Sequence, residues 1–591
     1  MKVLIFDFEV FKHDTLLGLI ELDGNKRKLI QTWDLNKIKN LFELYKAEEA
    51  IWIGWNNYFY DNYIMEGIIK GENPYVVSKR VITGDEKRRK CKFDILSYDL
   101  MNATNMLLSL KTTELISGKN IHTTEVDFEL DRPLTEEEKK STESYNESDL
   151  NQTLYNFTMF YNKLILKMDL AKEFNIPLKK VFMATDAQLA STVLGAKKIH
   201  GIEYQKIAPP IYENLKLENK QLWDFYLREG FRNKEKETIK VGNAEVNYGS
   251  GGTHSAIPKF HCDKALYIDV NGFYNRIMIY YDLLPRSLSE EGKKRYAHLF
   301  EQQLIMKKTN PTKRAAYKIV LLAVFGAEML EFSDLYDPQK GSLVTITGQL
   351  FITDLMEKLQ DLVTIVQLNT DGAIVLPNNW DDEPKIAKII EEWEKRTNFV
   401  CKKIHIYDVW QRDVNNYIYR DEDGKIEYRG EIVKNYDIGP KAYSGLEIFN
   451  CTNPPIVAKG IVNFLMDGKM PEETVEEEKN NLKMFQYICK KNTYDYTTYD
   501  TVNLQTGETT STRLSGINRA FALKGNIQGI VYKHKDSKGK HLKAKVANLP
   551  DSVFIYDNEI LSEEAVKNVT EKLNYQFYIN RIYERIGEFI E

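Results

Sequence analysis

MKVLIFDFEVF, residues 1–11, is an apolar segment interrupted by two carboxylates, Asp7 and Glu9. Side chains two residues apart in a β-strand point to the same face, so this pair shares a face with Val3 and Ile5. Burying two like charges on an apolar strand is costly unless a cation neutralises them. The segment therefore predicts a β-strand that carries a metal site almost at the start of the chain.

The size and composition of the chain limit the classes of protein to which it can belong. Its 591 residues are too many for one hydrophobic core, so we expect three or more structural units. Apolar residues make up 43% of the chain and charged residues 28%, which is typical of a globular, soluble protein. No apolar run approaches the roughly 20 residues that span a bilayer. The cysteines lack CxxC spacing, which indicates reduced thiols in a cytoplasmic protein. They are Cys91, Cys262, Cys401, Cys451 and Cys489.

The order of apolar patterns along the first 200 residues predicts an α/β domain followed by helices. Strands are predicted at residues 2–9, 16–21 and 50–55, and helices at 36–47 and 61–70. Residues 134–198 have mostly helical spacing. The polar stretch that follows contains Pro209-Pro210 and predicts a linker.

Two further segments of this first region carry carboxylates. Asp61 follows Asn57 at the predicted start of a helix, and Tyr145 and Asp149 are four residues apart on one helix face. Each feature alone is more often structural, for example as a helix N-cap. These two segments, together with the strand that carries Asp7 and Glu9, favour a common acidic site.

This set resembles the three motifs of proofreading 3′–5′ exonucleases of the RNase H-like class: Asp-x-Glu, Asn-x(2–3)-aromatic-Asp and Tyr-x(3)-Asp. Phosphodiester hydrolysis with two Mg²⁺ ions needs hard oxygen ligands. The resemblance implies that Tyr145 orients the attacking water and that four carboxylates are catalytic metal ligands. These are Asp7, Glu9, Asp61 and Asp149. Lys111, in SLKTTEL, lies where related phage enzymes keep a segment that contacts single-stranded DNA; a solvated lysine at a helix start explains it equally well.

A second acidic set lies in KALYIDVNGFY and TIVQLNTDGAIVLP. The first reads as a strand that ends at Asp269, with Tyr274 after it, and resembles motif A of family B DNA polymerases. The second reads as a hairpin with a turn at residues 369–372. It resembles motif C of that family, with Asp371 as the essential metal ligand and Asn369 in place of the first aspartate. Asp-Gly between apolar runs is by itself only a turn signal.

Between these segments, Asn310 as N-cap and Pro311 at the first helical position predict the start of a helix. Arg314 and Lys318 then share one face of that helix. Lys318, Phe325 and Gly326 are in register with the family pattern Lys-x(3)-Asn-Ser-x-Tyr-Gly, although Leu322 and Ala323 replace Asn-Ser and Phe325 replaces Tyr. Family A polymerases have a similar pattern. The resemblance implies a nucleotide site formed by Val270, Tyr274, Arg314 and Lys318.

Other matches to the family are looser and concern contacts with DNA. Tyr248 and Gly252 resemble the Tyr-x-Gly-Gly loop between exonuclease and polymerase domains, and Tyr417 resembles the tyrosine of a Lys-x-Tyr primer-contacting segment. The segment 513–545 carries one acid, Asp536, against nine basic residues, which predicts a surface for the phosphate backbone or else a solvated hairpin. The basic residues are Arg513, Arg519, Lys524, Lys533, Lys535, Lys538, Lys540, Lys543 and Lys545.

Together the matches resemble a bacteriophage-type family B DNA polymerase. The implied fold is an α/β multidomain protein in which an RNase H-like exonuclease precedes a right-hand polymerase. The implied divisions are an exonuclease domain at 1–200, a linker at 201–252, palm at 253–285, fingers at 286–330, palm at 331–450 and thumb at 451–591.

The implied function is template-directed addition of dNTPs to a primer 3′-OH by two-metal phosphoryl transfer, with 3′–5′ proofreading. Each active site is expected to use two Mg²⁺ ions, with Mn²⁺ as the alternative cation. Primer-template DNA and dNTPs are the expected partners, and a phage helicase, single-strand binding protein and processivity factor are candidates in the host cytoplasm. Two alternatives stay open: an exonuclease with a degenerate polymerase half, and a non-catalytic nucleic-acid-binding replication factor.

Overall fold

The computed structural model describes residues 2–84, 91, 93–103, 108–121, 124, 126–202, 209–228, 235–249, 251–434, 454–491, 493–537, 540–547 and 549–590. Cys451 and Lys538 lie outside these ranges. The chain divides into two compact units. Unit 1 contains Met1–Thr185, Asp437–Ile456 and Glu472–Asn580, and unit 2 contains Asp186–Tyr436, Val457–Pro471 and Arg581–Glu591.

The N-terminal part of unit 1 is built on a five-stranded mixed sheet with the order β3-β2-β1-β4-β5. Its strands are β1 (Val3–Val10), β2 (Thr15–Asp23), β3 (Lys26–Thr32), β4 (Ile51–Gly54) and β5 (Leu96–Asp99). The first three strands are antiparallel, whereas β4 runs parallel to β1 and β5 runs parallel to β4. The strands predicted from the sequence are confirmed, but two edge strands were not predicted: β3, which is mostly exposed and charged at its start, and the short β5.

Helices cover both faces of this sheet because side chains alternate along β1. Phe6 and Phe8 pack on one side with the first three helices, and Ile5 packs on the other side with Leu150 of the long sixth helix. The helices are α1 (Leu35–Ala47), α2 (Asp61–Lys70), α3 (Pro74–Thr83), α4 (Leu100–Ala103), α5 (Leu110–Ser117), α6 (Glu136–Glu173) and α7 (Leu178–Met183). Thr135 and Glu138 form a capping box that starts α6.

The C-terminal part of unit 1 contains two antiparallel sheets, with the orders β15-β18-β21 and β17-β16-β19-β20. Their strands are β15 (Tyr487–Lys490), β16 (Tyr496–Asn503), β17 (Thr509–Leu514), β18 (Ile517–Ala522), β19 (Ile527–Ser537), β20 (Lys540–Lys545) and β21 (Val553–Ile555). The helices of this part are α16 (Pro471–Glu478), α17 (Glu563–Thr570) and α18 (Tyr575–Ile586). Strands β19 and β20 form the hairpin that the sequence predicted around residue 538.

Unit 2 is built on a seven-stranded antiparallel sheet with the order β14-β13-β12-β9-β11-β10-β8. Its strands are β8 (Ser255–Ala256), β9 (Phe260–Val270), β10 (Val363–Leu368), β11 (Gly372–Pro377), β12 (Cys401–Asp413), β13 (Asn416–Arg420) and β14 (Ile426–Arg429). A separate hairpin of β6 (Glu237–Val241) and β7 (Ala244–Tyr248) lies within the predicted linker, which therefore contains regular structure.

The helices of unit 2 confirm the predicted start at Asn310, whose side chain accepts a hydrogen bond from the Lys313 backbone N–H. The helices are α8 (Asp186–Leu194), α9 (Lys220–Leu227), α10 (Phe273–Tyr280), α11 (Glu290–Thr309), α12 (Pro311–Glu328), α13 (Pro338–Leu359), α14 (Glu383–Thr397) and α15 (Pro455–Asp467). Helix α8 packs against α11 and α12, so the first compact unit ends at Thr185.

Among the described residues, no helix combines the length and apolar composition that a bilayer crossing requires. The four described cysteines carry free thiols.

Arg519 on β18 is fully buried, although the sequence analysis counted it among the DNA-contacting residues. Its guanidinium donates hydrogen bonds to several acceptors of the protein. Two of them, the carbonyl oxygens of Leu115 and Lys119, belong to residues 404 and 400 positions earlier in the sequence. The acceptors are Gln486 Oε1 and the carbonyls of Leu115, Lys119, Tyr556 and Asn558. The DNA-binding assignment of Arg519 is therefore wrong, because the side chain has no exposed surface to offer to a phosphate.

Replacement of this arginine tests its structural role. We expect Arg519→Met to lower the free energy of unfolding of unit 1 by about 3 kcal/mol, because it leaves several buried carbonyls without donors. Arg513→Met is the matched control, since Arg513 is exposed and stacks over the Tyr496 ring at 4.7 Å. That change should cost less than about 1 kcal/mol. Urea unfolding followed by fluorescence measures both, and equal shifts of the midpoint would contradict the assignment.

Candidate active sites

Three carboxylates of unit 1 meet at the central strand of its sheet. Asp7 and Glu9 project from β1, and Asp149 projects from α6. Carboxylate oxygens of the three side chains lie within 4.8 Å of one another. Glu9 and Asp149 are buried and Asp7 is half-buried. The structure thus brings together three of the four acids that the sequence assigned to one site.

The approach of α6 to this strand depends on a glycine. Gly18 of β2 lies opposite Asp7, and a Cβ at that position would be 1.8 Å from Asn146 Oδ1. Asn146 is fully buried and donates from Nδ2 to Asp7 Oδ2 at 3.3 Å. The sequence analysis missed Asn146, although its place between Tyr145 and Asp149 was a usable signal.

Asp61 is the first residue of α2 and is also buried, but it lies outside the cluster of three. Its Oδ1 accepts a hydrogen bond from the backbone N–H of Phe8 at 3.1 Å. That contact holds the Asp61 carboxylate against the backbone of β1, at the residue that separates Asp7 from Glu9 in the sequence. Its negative charge contributes to the raised pKa of Asp7.

The cluster is electrostatically unfavourable when no cation is bound. Burial, and then the Glu9, Asp61 and Asp149 charges, raise the pKa of Asp7 well above its usual value. Burial and the Asp149 charge raise the pKa of Glu9 to about 8, and burial raises the pKa of Asp61 to about 7. Near neutral pH the cluster therefore retains protons that a divalent cation would displace.

A cation of the protein already contacts the cluster. Lys111 Nζ lies 2.5 Å from Asp149 Oδ1, 3.2 Å from Glu114 Oε1 and 4.4 Å from the centre of the Tyr145 ring. From the sequence, Lys111 was expected either to contact single-stranded DNA or to be a solvated lysine at a helix start; in the structure it forms ion pairs with two carboxylates. Glu114, which is buried, was not identified from the sequence.

The donors of this cluster fit a hard divalent cation. They are carboxylate oxygens close enough together to share an ion, on elements held by hydrogen bonds and packing. Mg²⁺ and Mn²⁺ prefer such oxygen ligands. Asp7, Glu9 and Asp149 would hold the cation, with Asp61 adjacent.

A second acidic pair lies in unit 2, at one end of its sheet. Asp269 near the end of β9 lies opposite Gly372, the first residue of β11, and Asp371 immediately precedes it. The Val270 N–H donates to the Asp371 carbonyl oxygen at 2.7 Å. Asp371 is thus the neighbour in sequence of the residue paired with Asp269, and the two carboxylates are close enough for the Asp371 charge to raise the pKa of Asp269.

The turn that carries Asp371 is closed as the sequence predicted, and it requires a glycine. The Asn369 N–H donates to the Gly372 carbonyl at 2.8 Å. A Cβ at Gly372 would be 2.5 Å from the Ile268 carbonyl oxygen, so only glycine allows β11 to lie this close to β9. The Asp-Gly pair therefore serves both the turn and the close approach.

Two aromatic residues and a glycine pack beside Asp269 and Asp371. The Tyr274 ring on α10 lies 4.7 Å from the Phe325 ring on α12, and burial and the Asp371 charge raise the pKa of its hydroxyl. A Cβ at Gly252 would be 1.8 Å from Thr370 Oγ1. Gly252 thus packs directly against the turn that holds Asp371, and Tyr274 lies between that turn and α12.

Lysines near the acidic pair moderate its charge. Burial and the Asp371 charge raise the pKa of Asp269, and Lys402 and Lys307 partly offset that effect. Lys402 lies opposite Asp269 on β12. Neither lysine was identified from the sequence. Lys402 lies in no local motif, whereas Lys307 lies four residues before Pro311, the first residue of α12. Arg314 is half-buried and Lys318 is exposed on that helix.

Two tyrosines with a predicted DNA contact are buried. Tyr248 is 1% exposed, and its hydroxyl lies 2.7 Å from Thr353 Oγ1, so its assignment to a DNA surface is wrong. Tyr417 on β13 is 8% exposed, and burial is the main cause of its raised pKa. It lies close enough to Asp269 and Asp371 for their charges to affect its pKa.

The basic hairpin β19–β20 divides its lysines between two faces of the sheet. Lys533 and Lys535 alternate with His534, whereas Lys543 and Lys545 lie opposite His534 and Tyr532. Ion pairs with acids of unit 1 occupy Lys543 and Lys545. Lys533 and Lys535 make no ion pair among the described residues, so their face keeps its positive charge.

Comparison with known proteins finds similarity among solved structures. No protein-family model matches the sequence, and no curated protein matches it. The fold is similar to the solved structure of a family B DNA polymerase from the hyperthermophilic archaeon Pyrobaculum calidifontis, with a TM-score of 0.44 and 12% sequence identity. The match covers 100% of this chain and 78% of that chain. The proposals that follow depend on the geometry of the two acidic sites.

The raised carboxyl pKa values predict how stability varies with pH. Because the folded, metal-free protein binds more protons at Glu9 than the unfolded chain does, stability falls as pH rises from about 4.5 to about 8. We expect metal-free protein to lose about 3 kcal/mol between pH 5 and pH 9 relative to Glu9→Gln, which carries no charge. Melting in EDTA measures this difference. Mg²⁺ should restore the parent at pH 9 but not the variant, and parallel pH profiles would contradict the prediction.

Proposed function

We propose that the protein is a template-directed DNA polymerase that adds dNTPs to a primer 3′-OH and proofreads with a 3′–5′ exonuclease. The observation that carries the proposal is the pairing of β9 with β11, which brings Asp269 beside Asp371. The cluster of Asp7, Glu9 and Asp149 supports the exonuclease. Both sites bring together carboxylates from segments far apart in sequence, and clustered carboxylates of this kind can hold the cations of two-metal phosphoryl transfer.

In the polymerase half, bound divalent cations would supply activation of the primer 3′-OH and neutralisation of the triphosphate charge. Asp269 and Asp371 hold those cations, together with the Val270 carbonyl. Arg314 and Lys318 bind the triphosphate and balance charge on the departing pyrophosphate. Tyr274, packed against Phe325, lies under the sugar, where its ring would collide with a ribonucleotide 2′-hydroxyl.

In the exonuclease half, the acid cluster would hold two divalent cations that supply a hydroxide nucleophile and stabilise the leaving oxygen. Tyr145 lies on α6 one turn before Asp149 and orients the attacking water.

The proposed contacts with DNA involve other residues. Lys533 and Lys535 contact the phosphate backbone of DNA, and Tyr417 and Gly252 lie near the primer end.

The proposed architecture is an RNase H-like exonuclease domain followed by palm, fingers and thumb. The mixed five-stranded sheet supports the first, and the antiparallel sheet with α11 and α12 beside it supports the palm and fingers. We further propose a cytoplasmic protein of bacteriophage type that works on primer-template DNA with phage replication proteins.

A second candidate is an exonuclease whose polymerase half has lost activity. Two observations favour it: Asn369 replaces the first aspartate of motif C, and Leu322, in the place of a polar residue, is 60% exposed on α12. Primer extension with Mg²⁺ and dNTPs distinguishes the candidates, because this alternative gives digestion only. A non-catalytic replication factor would retain the DNA without changing its length.

Single substitutions separate the two proposed activities. We expect Asp371→Ala to lower primer extension by about 10³-fold or more and to spare digestion, because it removes a cation ligand of one site only. Asp7→Ala should do the reverse. Extension and digestion of a labelled primer-template are measured on the same preparations.

Asp381→Ala is the matched control, since Asp381 is an exposed acid in a 3₁₀ turn of unit 2. It should leave both activities at the parent level. Loss of both activities in a folded Asp371→Ala or Asp7→Ala protein would contradict the assignment of two sites.

A further inference from the structure

Lys111 lies between two carboxylates that have different surroundings. Asp149 belongs to the acid cluster, whereas Glu114 lies one helical turn after Lys111 on α5. The lysine ammonium is 2.5 Å from Asp149 Oδ1 and 3.2 Å from Glu114 Oε1. A single ammonium is thus shared between a proposed cation ligand and a second acid.

Glu114 is held in place by its burial and by its helix. It is 1% exposed, and α5 begins at Ser109, whose side chain caps the Thr112 N–H. Its Oε1 contacts Lys111, and its Oε2 accepts no hydrogen bond in the described structure. Burial raises the pKa of Glu114 to about 8, and the Lys111 charge opposes that rise. The ionised form of Glu114 therefore depends mainly on Lys111, so the two side chains constrain each other.

We infer that Glu114 is a positioning residue that keeps Lys111 from fully neutralising Asp149, so that Asp149 stays available to a divalent cation. The inference rests on the proposed exonuclease site. Without the Glu114 charge, Asp149 would be the only remaining carboxylate that pairs with Lys111 among the described residues. An incoming cation would then have to displace a tighter ion pair.

The charges around the lysine give the expected direction of the effect. Lys111 faces Asp149 and Glu114 and lies over the Tyr145 ring. Removal of Glu114 makes the site as a whole less negative and strengthens the competing pair, and both changes weaken cation binding. Residues behind metal ligands commonly change metal affinity by roughly 10–100-fold.

Binding of Mn²⁺ alone, measured by electron paramagnetic resonance without DNA, tests this role. The parent for the measurement carries Asp269→Ala and Asp371→Ala, which remove the acidic pair of unit 2. In that parent, Glu114→Gln should weaken Mn²⁺ binding about tenfold. Adding Lys111→Met to Glu114→Gln should restore the parent affinity, because it removes the competing ammonium.

Glu147→Gln is the matched control. Glu147 is a half-buried acid on α6 that lines the same cavity as Glu114, and it makes no ion pair among the described residues. Its replacement changes the net charge equally and should leave Mn²⁺ binding unchanged. A role in folding alone would not predict the recovery with Lys111→Met, and far-ultraviolet circular dichroism verifies that each variant is folded.

The outcomes separate this inference from the proposed function. Asp7→Ala in the same parent should abolish the measured binding; if it does not, the proposed cation site is wrong. If Asp7→Ala abolishes binding but Glu114→Gln binds like the parent, the positioning role is wrong. Equal weakening in Glu114→Gln and in the double variant with Lys111→Met would also overturn it.

Discussion

Repulsion among buried carboxylates is the constraint on which the first unit depends. Asp7 and Glu9 occupy the central strand of a sheet whose neighbouring side chains are apolar, and α6 brings Asp149 to the same place. Such a cluster is tolerated only if protons or cations neutralise it. The surrounding structure lessens the repulsion with Asn146, the Phe8 N–H and Lys111. A fold that holds these charges together is organised around a function.

Local patterns in the sequence were sufficient for much of this architecture. The alternation in β1, the Asn310-Pro311 helix start and the Asp371-Gly372 turn each depend on a few adjacent residues, and each is present in the structure. The proximity of the acids within each site was predicted from their motifs. The rest depends on contacts between distant segments. Burial of Arg519 and Tyr248 is of this kind, because no local pattern distinguishes a buried polar side chain from an exposed one.

The basic segment 513–545 is another case in which the sequence alone did not show which side chains are available to a ligand. In the sequence its lysines form one charged stretch, but a strand alternates its side chains between two faces. Lys543 and Lys545 consequently pair with acids, while Lys533 and Lys535 remain on the other face. Net charge along a strand therefore overestimates the charge that one face presents to a ligand.

The hydrogen bond from Arg519 to the Leu115 carbonyl spans 404 positions of the chain. During synthesis at roughly 5–20 residues per second, the earlier partner leaves the ribosome roughly 20–80 s before the later one exists. Throughout that interval the carbonyls of Leu115 and Lys119 lack the Arg519 donor. The N-terminal part of unit 1 is then present without the C-terminal segment that belongs to the same unit. Nascent chains halted before residue 519 should thus be unusually dependent on chaperones.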